Sequence, residues 1–345
     1  MFHEFELGKS ADILIKQLMR IEVGESLAIT ADTESDPAVV NSVARAAFSA
    51  GGKPLVMWTA TPLQSGKAAD GFFPSEPLVG ALGAADAWLE LNRVPILYSR
   101  TYERALEANP RLRHLMLGGM NAAMMTRCIG RTNYPALEKL VGEMKTRIEQ
   151  AELLRITSPA GTDIRFHNRR DWPIFAVDGR ADSPGTHTLG GMMAWAPDFD
   201  TTDGVIVIDG AVSKIGIDHL ESQIRLEIRA GKIVKVEGGR EARTYEDWMR
   251  AFGDPQMLCL AHTGLGFLPR ATLSGIMSEQ ERIWGCSVWG VGDVAPFLAP
   301  PKGFPAASHN DGICLNCSLW LDDLQIMKEG ELLDDDLKEL GKDLL

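Results

Sequence analysis

At 345 residues, with 45% hydrophobic and 24% charged side chains, the chain has an ordinary globular composition and enough length for two domains. Its net charge of -12 argues against a nucleic-acid or anionic-membrane partner, since either needs a basic patch, and no apolar run is long enough to span a bilayer. A small molecule is the expected partner. Five cysteines and an amino terminus without a basic or apolar leader pattern give a reducing cytoplasm as the expected compartment.

From residue 9 to about 150, helix and strand patterns alternate. Ser10 is placed to cap an amphipathic helix, and residues 26–30 read as a short buried strand. Asp36-Pro37 opens a helix that Gly51-Gly52 ends. Strand patterns at 55–58, 87–91 and 114–117 follow, separated by helices over 77–83 and 101–109. Such alternation predicts a Rossmann-like α/β domain with a parallel sheet, over residues 1–152. The segment behind the first strand, Ala31-Asp32-Thr33-Glu34-Ser35-Asp36, is acidic and lacks G-x-G-x-x-G, so no nucleotide is expected. A long helix from Tyr134 closes this domain.

Past Leu154 the pattern turns to strands and hairpins, predicting a mixed or antiparallel-sheet domain over residues 153–345 that carries the chemistry. Ser158-Pro159-Ala160-Gly161 and Ala230-Gly231 are the turns, and one helix spans 244–252. The segment 284–305, rich in Gly, Trp and Pro, reads as a long ordered loop serving as a pocket lid or a subunit contact.

Within that domain, His309 and Asp311 share one face of an extended segment, and Gly312 lets the backbone approach closely. The apolar residues Ile313, Leu315, Leu319 and Leu321 read as one anchoring strand. His-x-Asp/Glu also occurs by chance, as in His219-Leu220-Glu221, so a third ligand is required. His262 supplies a candidate at the end of an apolar strand, before a turn at Gly264-Leu265-Gly266. It reads either as a hydrogen-bonded core histidine or as the member completing two histidines and one carboxylate. That set suits non-haem Fe(II), because it leaves positions open for oxygen and substrate.

The segments 261–271, His309-Asn310-Asp311 and 319–323, with 158–163, 181–185, 226–232 and 252–255, resemble the 2,5-dihydroxypyridine 5,6-dioxygenase family. These are Fe(II) ring-cleaving enzymes of nicotinic acid breakdown, in a structural superfamily shared with aminopeptidase T type metallopeptidases. The resemblance implies Fe(II) on His262, His309 and Asp311, a hydroxylated aromatic substrate with O2, and a homo-oligomer. It also implies that His187 lines the substrate pocket. Tyr98 stands where the family has an acid–base histidine, and a phenol with a reference pKa of about 10 is a poor base near neutral pH. Trp195, Trp284 and Trp289 are candidates for stacking on a flat ring or, individually, for the core.

Two other readings compete. A two-metal aminopeptidase-type hydrolase needs further carboxylates, for which Glu279 and Glu281 are candidates, although 278–282 reads more simply as an exposed helix start. A closed structural zinc site needs a fourth ligand such as Cys314 or Cys317.

Overall fold

Buried strands joined by helices must lie parallel, and the first part of the chain folds that way. The computed structural model describes residues 4–213 and 220–344, so His219 lies outside the described residues. The chain divides into two compact units, Met1–Thr132 with Gly179–Gly190, and Asn133–Asp178 with Gly191–Leu345.

The first unit opens with helix α1 (Glu4–Ile13). Ser10 does not cap it. Its hydroxyl donates back to the Glu6 carbonyl one turn earlier, because the helix has already begun. Strand β1 (Ser26–Asp32) follows, then helix α2 (Pro37–Ser49), capped by the Asp36 carboxylate and opened by Pro37 as expected. Strand β2 (Lys53–Thr59), helix α3 (Ser75–Gly83), strand β3 (Ala87–Glu90), helix α4 (Arg100–Ala108) and strand β4 (Arg113–Met116) continue the alternation. A fifth strand, β5 (Gly185–Thr188), returns from later in the chain and pairs parallel with β4, giving the order β2-β1-β3-β4-β5. This return takes 179–190 out of the region expected to form the second domain.

Order reverses between β1 and β3, where open α/β sheets commonly bind ligands beyond their carboxyl ends. Here the fully buried Asp32 fills that end of β1. Its carboxylate accepts from Glu34 N, the Ser35 hydroxyl and Val94 N.

Helix α5 (Tyr134–Gln150), capped by Asn133, belongs to the second unit rather than the first. Arg147 on its last turn pairs with Asp334 and Asp336 beside the helix Asp335–Gly341 of that unit. Two antiparallel sheets make up the rest. An eight-stranded one carries the two expected hairpins, Leu153–Thr157 with Asp163–His167 and Ile224–Arg229 with Lys232–Gly238. The six-stranded one has β6 (Leu260–Gly266), β7 (Ser287–Val294) and β8 (Phe304–Cys314) side by side. Helix α6 (Arg240–Ala251) begins four residues before its expected start at 244.

Phe166 of the eight-stranded sheet meets Trp195 and Trp289 of the six-stranded sheet at ring-centroid distances of 6.3 and 5.9 Å. All three are buried, so Trp195 and Trp289 are core rings rather than stacking platforms. Trp284 donates its indole N–H to the Gly330 carbonyl. The apolar run after Gly312 is two strands rather than one. Asn316 turns at φ +51°, and Ser318–Leu321 joins the other sheet beside Leu153–Thr157.

Candidate metal centre

Strand alternation in β8 does put His309 and Asp311 on one face, with Asn310 on the other bonded to Ser213. Ser213 also donates its backbone N–H to Asp311 O and accepts Asp311 N–H on its hydroxyl, which fixes this stretch of β8. His262 comes from β6. It lies inside the strand, because Gly264-Leu265-Gly266 continues the ladder instead of turning.

Between them runs β7, formed from the segment that reads in the sequence as a loop. His262 lies across from Gly290, and Gly290 lies across from Asp311. The glycine leaves a gap in the middle strand, through which side chains from the flanking strands meet. A Cβ at Gly290 would stand 2.5 Å from His262 Cδ2 and 2.9 Å from His309 Cε1. Sequence reasoning misses this residue because a glycine offers no ligand atom. Its signal is a Gly-x-Gly inside an apolar strand pattern.

His262 Nε2 and His309 Nε2 are 3.2 Å apart, and each is 3.0 Å from Asp311 Oδ1. Ligand atoms about 2.1 Å from one ion and mutually at right angles stand about 3.0 Å apart, so this triangle has the dimensions of three adjacent corners of an octahedron. Two facing imidazole nitrogens and one carboxylate oxygen converge their lone pairs, an arrangement that a cation satisfies. The His309 Nδ1–H donates to the Asp293 carbonyl at 2.7 Å, which turns the Nε2 lone pair to the centre. His262 Nδ1 is buried without a hydrogen-bond partner.

Burial pushes the Asp311 carboxyl up, but the neighbouring His309 charge and hydrogen bonds from both histidines outweigh it. They hold the carboxyl well below the usual carboxylate range. The side chains of His262 and Asp311 are 10% and 14% exposed while that of His309 is 28% exposed, so the group opens on the His309 side. Tyr245 of α6 is fully buried with no partner for its hydroxyl, and burial and the Asp311 charge push its phenol up.

No other three-residue group of metal-ligating side chains occurs among the described residues. Glu279 and Glu281 are not on an exposed helix start. Glu279 is buried and accepts Thr272 N–H, while Glu281 pairs with the buried Arg282 at 2.7 Å. Burial pushes Glu281 up, Arg282 offsets part of this, and the Asp311 charge adds to it. Cys286, Cys314 and Cys317 are core thiols. Burial pushes all three up, Cys317 to about 12, and its S–H donates to Ser287.

The remaining predicted residues, Tyr98 and His187, belong to the first unit. Tyr98 follows β3 on the way to α4, is 60% exposed and has a left-handed φ of +66°. His187 is half-buried on β5, where Nε2–H donates to the Ser183 carbonyl at 2.9 Å. In the neutral ring that tautomer leaves Nδ1 as an acceptor.

A family model described as 2,5-dihydroxypyridine 5,6-dioxygenase (NicX) matches residues 15–334. The chain is 26% identical over 341 residues to 2,5-dihydroxypyridine 5,6-dioxygenase of Pseudomonas putida KT2440, covering 92% of this chain and 94% of that protein. Its fold matches a solved structure of the dioxygenase from that organism with a TM-score of 0.77 at 23% identity, over 97% of this chain and 99% of the other. It also matches the fold of wild-type AmpT from Thermus thermophilus, with a TM-score of 0.68 at 16% identity, over 96% and 99% of the two chains.

Proposed function

Because the chain belongs to the 2,5-dihydroxypyridine 5,6-dioxygenase family, we propose that it is an Fe(II)-dependent dioxygenase cleaving the ring of 2,5-dihydroxypyridine or a close hydroxylated analogue. The observation that carries this reading is the triangle of His262, His309 and Asp311, with its open side at His309. Fe(II) held there would supply the redox chemistry with O2. Two imidazoles and one carboxylate carry a single negative charge between them, so a divalent ion held there would keep a net positive charge and favour an ionised ring hydroxyl.

The other roles belong to this chain's own side chains. The His309 ring is oriented by the Asp293 carbonyl, and Ser213 holds the Asp311 backbone in place on both sides, so the strand carrying both residues is fixed independently of any metal. His187 has Nδ1 as its accepting nitrogen and is the residue proposed to take the proton of a substrate hydroxyl. Tyr98 is a hydrogen-bond donor to the substrate rather than a base, since a phenol with a reference pKa of about 10 is a poor base near neutral pH.

Oxygen uptake tests the reading. Protein given one equivalent of Fe(II) without air and then 2,5-dihydroxypyridine should consume O2 with loss of the ring's ultraviolet absorption, and His309→Ala should do neither. Uptake that persists in His309→Ala, or a requirement for two metal ions per chain, would sink it.

A further inference from the structure

Glu90, the last residue of β3, and His114, the second residue of β4, are ionisable residues with no exposure. A buried pair of this kind adds little stability over a well-packed apolar pair, so its connections matter more than its presence. Glu90 Oε1 accepts Ile96 N–H and, at 3.3 Å, Leu97 N–H, in the segment that ends at Tyr98. Its Oε2 lies 2.9 Å from His114 Nε2. The His114 ring is stacked on Trp88 at 3.9 Å, and its Nδ1 lies 3.2 Å from the Thr186 hydroxyl. Tyr102 OH reaches that same oxygen at 2.9 Å.

A carboxylate only accepts, so His114 presents Nε2–H to Glu90. With the ring neutral, Nδ1 accepts the Thr186 proton and the Thr186 oxygen accepts from Tyr102, so that donor and acceptor roles run in one direction from Tyr102 to Glu90. The row Trp88, His114, Thr186 follows the strand register across β3, β4 and β5, so these contacts are built into the sheet.

One end of the chain of bonds stops next to Tyr98 and the other next to His187. Tyr98 also has a backbone conformation that non-glycine residues avoid, which persists only when neighbours hold it. We infer that Glu90 and His114 are positioning residues that fix the loop of Tyr98 and the strand of His187 relative to each other. Through them the two side chains present one fixed geometry to the ring substrate. This inference rests on the proposed roles of Tyr98 and His187 in the reaction.

The test uses the iron-loaded full chain, with Glu90→Gln, His114→Phe and Thr186→Val. Phenylalanine keeps a flat ring on Trp88 and removes both nitrogens, while Thr186 is exposed, so its variant should fold normally. Amide hydrogen exchange should rise about tenfold in both 93–99 and 184–188 in His114→Phe, and about threefold in Thr186→Val, with the rest of the unit unchanged. The same variants should lower kcat about tenfold with iron content unaltered, and His114→Phe combined with Tyr98→Phe should lose less than the product of the single losses.

Exchange that rises in one segment only, or across the whole unit, overturns the coupling. So does wild-type turnover in both His114→Phe and Thr186→Val. If His114→Phe does not fold, Thr186→Val and Glu90→Gln decide by the same readings. A wild-type protein without oxygen uptake would refute the dioxygenase reading and leave exchange alone to judge the coupling.

Discussion

Gly290 lies directly across the ladder from His262, and a side-chain carbon there would stand 2.6 Å from His262 Nε2. The β7 backbone is hydrogen-bonded on both sides, to the strand of His262 and to that of His309 and Asp311, and cannot move away. Gly290→Ala should therefore displace the imidazoles, weakening metal affinity by at least about tenfold and stability by about 1–3 kcal/mol. Metal titration and urea unfolding would measure the two effects. Unchanged affinity in the alanine variant would mean that the glycine gap is not what brings the two rings together.

The grouping of His262, His309 and Asp311 is partly legible in the amino-acid sequence, and the limits have physical causes. His309 and Asp311 can be paired because strand alternation is local, and a two-residue spacing fixes the face. The place of His262 within its strand cannot be read, because Gly264-Leu265-Gly266 has the composition of a turn yet stays in the ladder between two neighbouring strands. For 284–305 the difference is of the same kind. Gly, Trp and Pro suggest a loop, but Gly290 and Trp289 alternate between the ligand gap and the core of a central strand. The strand Gly185–Thr188 has no apolar alternation to announce it, so its pairing with β4 is fixed by tertiary context alone.

The cysteines offer a separate test. Cys314 and Cys317 are buried, their thiols are pushed up, and neither belongs to the His262, His309, Asp311 group. Cys314→Ala with Cys317→Ala should leave metal content unchanged while costing about 1–3 kcal/mol of stability from lost packing. Metal analysis after dialysis checks this, and loss of the ion from the double variant would revive the structural zinc reading. In the native protein these thiols should also resist alkylating reagents near neutral pH.

Asp334 gives a pH dependence with a definite sign. Burial pushes its carboxyl up, but Leu337 N–H and Arg147 outweigh this and hold it below the ordinary aspartate value of 3.8. A carboxyl with a depressed folded pKa contributes stability above its unfolded pKa, and loses it as pH falls through the folded pKa. Asp334→Ala should thus cost about 1–2 kcal/mol at pH 7 through the lost helix cap and ion pair. The difference from wild type should narrow only below about pH 4. Urea unfolding of both proteins across that range measures it, and a difference that stays constant down to about pH 3 would exclude the carboxylate as its source.

Tyr98 separates stability from function. Its φ of +66° is left-handed, and a non-glycine residue is disfavoured there by about 1–2 kcal/mol. The residue is 60% exposed, and its ring meets that of Tyr102 edge-on at a centroid distance of 6.4 Å. Tyr98→Gly relieves the strain but adds freedom to the unfolded chain, so stability should change by less than about 1 kcal/mol in either direction. Turnover should fall at least about tenfold in the same variant, because the proposed hydrogen-bond donor to the substrate is lost. Tyr98→His should retain turnover and add an acidic limb to the pH–rate profile near about pH 6.5, below which an imidazole base is protonated. Thermal unfolding and steady-state oxygen uptake, run on both variants, test the two halves independently. A glycine variant that unfolds early while its surviving fraction turns over normally would show that the tyrosine serves the fold and not the reaction.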